Sequence, residues 1–289
     1  MKKSKCMLLS AMSIFGTVGI FKTYIPMSAG AVAFARGVLG VLFLLLAMLV
    51  LRQKFDKAAI RENLTLLCLS GVAIGFNWVL LFESFNHTSV ATATVCYYMA
   101  PLFLILASPL VGEQLSGKKL LCVGVALVGL VFVSGMMDGG SLAISDLKGV
   151  GLALGAAALY ATVMVLNKRL TPIPAYDKTV IQLTAASAVL IPYIFLSGGI
   201  DSTAMTAMTW SLLLILGFVH TGFAYALYFG SMKDLKAHTI AIFSYLDPVI
   251  AVLLSALWLQ EPLSGWGIAG TVLILGSALY SELPDRKNK

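Results

Sequence analysis

The sequence predicts an all-α integral membrane protein, with ten transmembrane helices arranged as two inverted five-helix repeats. Three observations predict it. Of its 289 residues, 59% are hydrophobic and only 11% are charged. The apolar residues fall into ten runs of spanning length. A short motif pair recurs about half a chain later, in the opposite expected orientation.

Composition sets the class. Mean hydropathy is +0.93, and soluble domains carry about 25% charged residues. A soluble chain of this size has no interior large enough for so much apolar surface, whereas a lipid-embedded chain need not hide it. The net charge of +7 does not mark a nucleic-acid partner, because the basic residues sort by loop, as shown below. Cys6, Cys68, Cys96 and Cys122 lie in or beside apolar runs without metal-type spacing, so they read as small hydrophobes rather than a disulfide framework. Residues 1–25 carry Lys2, Lys3 and Lys5 before an apolar run. They read as a first membrane helix and not as a cleaved leader, since no clear small-residue cleavage site interrupts the run.

A span needs about 20 apolar residues. The runs lie at 6–25, 28–50, 64–85, 88–110, 118–136, 148–167, 179–198, 209–230, 237–258 and 265–283. Their links are short, so neighbours are antiparallel and no soluble domain fits between them. With the N-terminus inside, the inner loops collect Lys2, Lys3, Lys5, Arg52, Lys54, Lys57, Arg61, Lys118, Lys119, Lys168, Arg169, Lys178, Lys233, Lys236, Arg286, Lys287 and Lys289. Lys148 alone falls in an outer loop, while Lys22 and Arg36 lie within spans. This positive-inside bias fits an even number of helices with both termini cytoplasmic.

The repeat is visible in two motifs. Tyr-x-x-Pro occurs at 98–101 and 245–248, and Glu-x-Leu-Ser-Gly at 113–117 and 261–265. Each half therefore holds five helices, and an odd number turns the second half upside down. Glu113 is then expected at the inner surface and Glu261 at the outer. Inverted repeats of this kind are the plan of secondary transporters, whose substrate sites lie near the midplane between the halves.

On these motifs the chain resembles the EamA family of the drug/metabolite transporter superfamily, over nearly its whole length. Arg36 within Phe34-Ala35-Arg36-Gly37 and the aromatic stretch from Asn77 to Phe82 fit as well. The first helix reads Ser13-Ile14-Phe15-Gly16 where the family often has a Trp-Gly pair. The resemblance implies a first EamA-type repeat over 1–137, a second over 146–284 and a cytoplasmic tail at 285–289. It also implies a carrier in the cytoplasmic membrane that exports amino acids or related small metabolites.

Ionisable groups inside a membrane are costly and are functional candidates by default. Arg36 lies about eight residues, roughly 12 Å, into the second span. With Lys22 it can face an outward cavity and bind a carboxylate or other anion. Asp247, mid-span and just before Pro248, can bind an ammonium or carry a coupling proton; the proline is expected to kink its helix. Its competing reading is a buried ion pair with Arg36 or Lys22. His220 is a second proton-relay candidate, with bonding to a neighbouring helix as the alternative. Asn77, Trp78, Tyr98, Tyr160 and Tyr245 are expected to line the substrate cavity, with Tyr97, Tyr225 and Gln182 at similar depth. Glu113, Glu261, Pro101 and Pro248 are read as gating or structural residues. Gly71 with Gly75, and Gly151 with Gly155, suit close helix approach.

The function expected is secondary transport of small organic metabolites by alternating access, with no enzymatic activity. A nucleotide-sugar or phosphorylated-metabolite antiporter is the alternative, although it would want more interior basic groups than Lys22 and Arg36. An intramembrane enzyme stands further off, because the chain has neither a nucleophile motif nor a His/Glu metal motif, and it has no Walker loop. No cofactor or metal is implied. The partners are a small-molecule substrate and membrane lipid, with no nucleic acid, and the chain is expected as a monomer or homodimer.

Overall fold

The computed structural model describes residues 2–107, 109, 116–134, 137, 144–197, 199, 205–232, 235, 240 and 243–283. Among these residues the chain is helical, with no strand. The helices are α1 (Lys2–Gly16), α2 (Val18–Thr23), α3 (Ala29–Val50), α4 (Lys57–Ser84), α5 (Val90–Tyr97), α6 (Ala100–Leu106), α7 (Gly117–Val133), α8 (Ile144–Lys168), α9 (Ala175–Leu196), α10 (Ala207–Leu214), a π-helix (Ile215–Phe223), α11 (Ala224–Met232), α12 (Leu246–Leu257) and α13 (Gly265–Glu282). Six stretches are long and apolar enough to cross a membrane: Lys3–Thr23, Ala29–Val50, Lys57–Ser84, Asp146–Lys168, Ala175–Leu196 and Ala207–Ser231. Val90–Leu106, Leu246–Leu257 and Gly265–Ser281 are shorter apolar helices.

The helix starts are written in the sequence. Ser28, Asp56, Ser89, Ser116, Thr206 and Ser264 each accept a hydrogen bond from the backbone N–H three residues on. Such caps satisfy one of the amides a helix N-terminus leaves unpaired. Ser116 and Ser264 are the serines of the two Glu-x-Leu-Ser-Gly motifs, so part of that motif's work is to start α7 and α13. Its glutamate has another task. Glu261 accepts from the Val90 amide at 2.9 Å, at the start of α5, and from the Ser255 hydroxyl. Glu113 and residues 285–289 lie outside the described residues.

The proline positions require a correction. Pro248 does not kink a continuous helix. The chain turns at Tyr245, and Pro248 sits in the first turn of α12, where its missing N–H costs no hydrogen bond. Pro101 likewise occupies the first turn of α6, after a break that follows α5. Both Tyr-x-x-Pro motifs therefore mark a helix interruption.

Packing is tight where small residues allow it. A Cβ on Gly71 would lie 2.4 Å from the Gln182 carbonyl oxygen, and one on Gly75 would lie 3.0 Å from that of Ala186. These glycines set α4 directly against α9 and serve internal packing. Gly129 of α7 and Gly270 of α13 meet backbone to backbone in the same way. One apolar core joins α2, α3, α4, α9, α10 and the π-helix around Phe82, Leu183 and Leu216; a second joins α5 to α8 and α13 around Cys96, Leu102 and Ile274. A buried polar network crosses α4, α8 and α9. Gln182 donates to Ser70 and Asn167 at 2.6 and 2.7 Å, and Asn63 exchanges bonds with Thr171. Gln182 thus ties helices together and does not line the central cavity described below.

Candidate functional site

A central cavity of about 480 Å³ lies between helices drawn from both halves of the chain. Small-molecule sites span about 300–1,000 Å³. Its wall includes Phe15, Arg36, Asn77, Trp78, Tyr97, Tyr98, Tyr160, Tyr225, Tyr228, Tyr245 and Asp247. It is rich in aromatic rings, with one guanidinium and one carboxylate among the described residues.

Arg36 comes from the middle of α3 and is 5% exposed. Its Nε donates to Thr221 Oγ1 at 2.8 Å. Its guanidinium lies over the Trp78 ring, 4.3 Å from the centroid. Stacking of this kind suits a delocalised, weakly hydrated cation. No other hydrogen bond or ion pair of Arg36 is found among the described residues. Among the described residues its Nη groups thus have no partner, and the residue lines the cavity.

Asp247 stands in the first turn of α12. Its Oδ2 accepts from the Tyr98 hydroxyl at 2.8 Å, and that hydroxyl also lies 3.2 Å from the Ser244 carbonyl. A hydroxyl has one proton, so it serves one of these acceptors at a time. Arg36 and Asp247 line the same cavity without forming an ion pair. The buried-pair reading of Asp247 therefore fails. The two charges are both presented to the one cavity.

Most aromatic rings of the wall pack in two groups. Tyr98 and Tyr245, one from each repeated motif, have ring centroids 6.0 Å apart. Tyr97 contacts Tyr160 at 5.6 Å, and Phe15 contacts Tyr225 at 5.5 Å. Asn77 donates to the Ala156 carbonyl at 2.6 Å and so also fixes α4 to α8.

Two sequence candidates are placed elsewhere. Lys22 is buried, 3% exposed, but it does not line the cavity. His220 lies off the wall too. Its Nε2 is 2.7 Å from Thr17 Oγ1, its Nδ1 is 3.2 Å from the Ile215 carbonyl, and its ring packs on Phe21. His220 thus bonds a neighbouring helix segment. Sequence reasoning missed Phe15 and Tyr228, which look like ordinary packing aromatics in an apolar run. It also missed Thr221, whose contact with Arg36 depends on a π-helical register that carries no sequence signal.

Comparison with known proteins agrees with this architecture. The model of the EamA-like transporter family matches residues 2–135 and again 147–281. The uncharacterized transporter YxxF of Bacillus subtilis is 32% identical over 256 residues, covering 87% of this chain and 80% of that protein. A protein of Salmonella typhimurium named a probable amino-acid metabolite efflux pump is 29% identical, with 83% of each chain covered. One crystal structure, 19% identical in sequence, superposes with a TM-score of 0.67 over 97% of this chain and 96% of the other, a likeness of fold. Transporter relatives and six helices of spanning length make this chain a multi-pass membrane protein.

Proposed function

Given that the chain belongs to the EamA-like transporter family, we propose that it is a secondary transporter exporting amino acids or related small metabolites across the cytoplasmic membrane. The observation that carries this reading is the cavity itself. The cavity wall holds a guanidinium whose Nη groups have no hydrogen-bond partner among the described residues, a carboxylate and several aromatic rings. A zwitterion with an apolar side chain satisfies all three. Arg36 binds its carboxylate, Asp247 its ammonium, and the tyrosine wall its side chain. The name of the Salmonella relative points the same way. A phosphorylated substrate fits less well, because a single guanidinium is the cavity's only cation among the described residues.

The mechanism is alternating access between two inverted five-helix halves, with both termini cytoplasmic. Packing supports it. α4 packs on α8 and α9; in matching fashion α11 packs on α1 and the π-helix on α3. The pairs α3–α9, α5–α12 and α7–α13 each join one element to its counterpart in the other repeat. Such exchange symmetry is what a pseudo-two-fold axis between the halves produces, and an odd number of spans in each half would lay that axis in the membrane plane. Asp247 also serves as the proton-coupling group, since substrate ammonium and proton compete for one carboxylate. His220 links the halves through Thr17.

The test is flux in proteoliposomes against a panel of amino acids and sugar phosphates, with and without a pH gradient. Saturable amino-acid flux is expected. A panel in which only phosphorylated solutes move would replace the amino-acid reading, and no flux of any solute would remove the carrier reading.

A further inference from the structure

We propose that Thr221, held in place by the π-helix, is the positioning residue that aims Arg36 into the cavity. This rests on the transporter reading only for its consequence, not for its geometry. Thr221 does not line the cavity, so any effect it has on a solute passes through Arg36.

The direction of each hydrogen bond is fixed. Arg36 Nε–H is a donor only. Thr221 Oγ1 is 2.8 Å from it and accepts. The hydroxyl's single proton then goes to the Leu216 carbonyl, 3.0 Å away and five residues back. In an α-helix a threonine hydroxyl reaches a carbonyl three or four residues back. Here the π-helix over Ile215–Phe223 presents the carbonyl at the fifth position. The lone pairs of Oγ1 are thereby turned toward α3. One edge of the guanidinium is held by Thr221 and one face by Trp78, at 4.3 Å. Together these constraints set the plane of the group and leave its Nη edge for a ligand.

The close approach that makes this possible is also specified. A Cβ on Gly40 would fall 2.5 Å from Thr221 Cγ2. One on Gly217 would fall 2.2 Å from Leu39, and one on Gly222 would fall 2.3 Å from Phe43. Three glycines on the facing surfaces let α3 and the π-helix touch at the height of Arg36. π-Helical turns are uncommon and concentrate at functional sites, and here the turn has a definable task.

Trp78 supplies a readout that needs no known substrate. Replacing the exposed Trp210, Trp258 and Trp266 by Phe leaves Trp78 as the sole indole. In that background the Trp78 emission spectrum of Thr221→Val is expected to shift as that of Arg36→Ala does. Thr221→Ser, which keeps the hydroxyl, is expected to retain the parental spectrum. In proteoliposomes Thr221→Val should raise the KM for L-phenylalanine about tenfold at unchanged maximal rate, the loss expected for one charge-assisted hydrogen bond. A parental Trp78 spectrum in Thr221→Val overturns the proposal, as does a Thr221→Ser spectrum that departs with the Val variant. If the spectra behave as expected while flux ignores Arg36, the positioning stands and the transport reading fails.

Discussion

A guanidinium carries five N–H donors, and Arg36 spends one of them on Thr221. That surplus inside a membrane is the strongest functional feature of any single residue here. Arg36→Ala is expected to lower amino-acid flux at least tenfold in protein that still inserts, as for loss of a charge-assisted hydrogen bond. Arg36→Lys should not restore it, because an ammonium offers neither a planar face for Trp78 nor a two-pronged edge. Flux normalised to inserted protein checks both. Asp247→Asn keeps the size and the acceptor for Tyr98 but removes the charge. It should abolish pH-gradient-driven accumulation and also weaken substrate binding in counterflow exchange; unchanged accumulation would free Asp247 from coupling. Both charges were legible in the sequence, because a charged side chain in an apolar run stands out against its surroundings. Their mutual geometry was not. Whether they pair or face a cavity depends on helix rotation, and hydropathy does not encode rotation. Lys22 shows the same limit, since it is as conspicuous as Arg36 in the sequence yet lies off the cavity wall.

At the scale of the element, two kinds of irregularity shape the site. Interrupted helices place Tyr98 and Asp247 at the break points between α5 and α6 and before α12. These were legible through proline, although its effect differs from the kink expected. A proline in the first turn starts a helix, and the break precedes it. The π-helix is the other irregularity, and it was illegible, because a stretch apolar on nearly every side has no hydrophobic pattern in which a wider turn would show. Deleting the exposed Val219 should return this stretch to α-helical register. The widened turn that sets Thr221 2.8 Å from Arg36 is then lost. The expected outcome is loss of flux with membrane insertion retained, measured by transport and by detergent-resistant monomer yield. Near-parental flux would mean that the turn has no part in the site.

At the scale of the whole molecule, the bilayer reading rests on a property that adds along the chain, so it was visible from composition onward. The opposed halves rest on two short motifs, and packing gives them physical sense. Serines of the Glu-x-Leu-Ser-Gly motifs cap α7 and α13, and Glu261 reaches across to α5. A reporter fused at Lys289 should be found in the cytoplasm; a report from the far side would break the even helix count. Gly270→Val should destabilise the fold by about 1–3 kcal/mol, because the new side chain meets the Gly129 carbonyl with no room to shift. Denaturant titration of the purified protein measures it. That crossing has a mechanical meaning. α7 and α13 belong to opposite halves, and they meet closely, backbone on backbone at Gly129 and Gly270 and ring on ring at Phe132 and Trp266. A contact of this shape behaves as a fulcrum, the place where relative displacement is least. Spin labels at Gly124 and Gly276, whose Cβ positions face open space, should therefore report one unchanging distance through the transport cycle. Labels flanking the Glu261–Val90 bridge should report two.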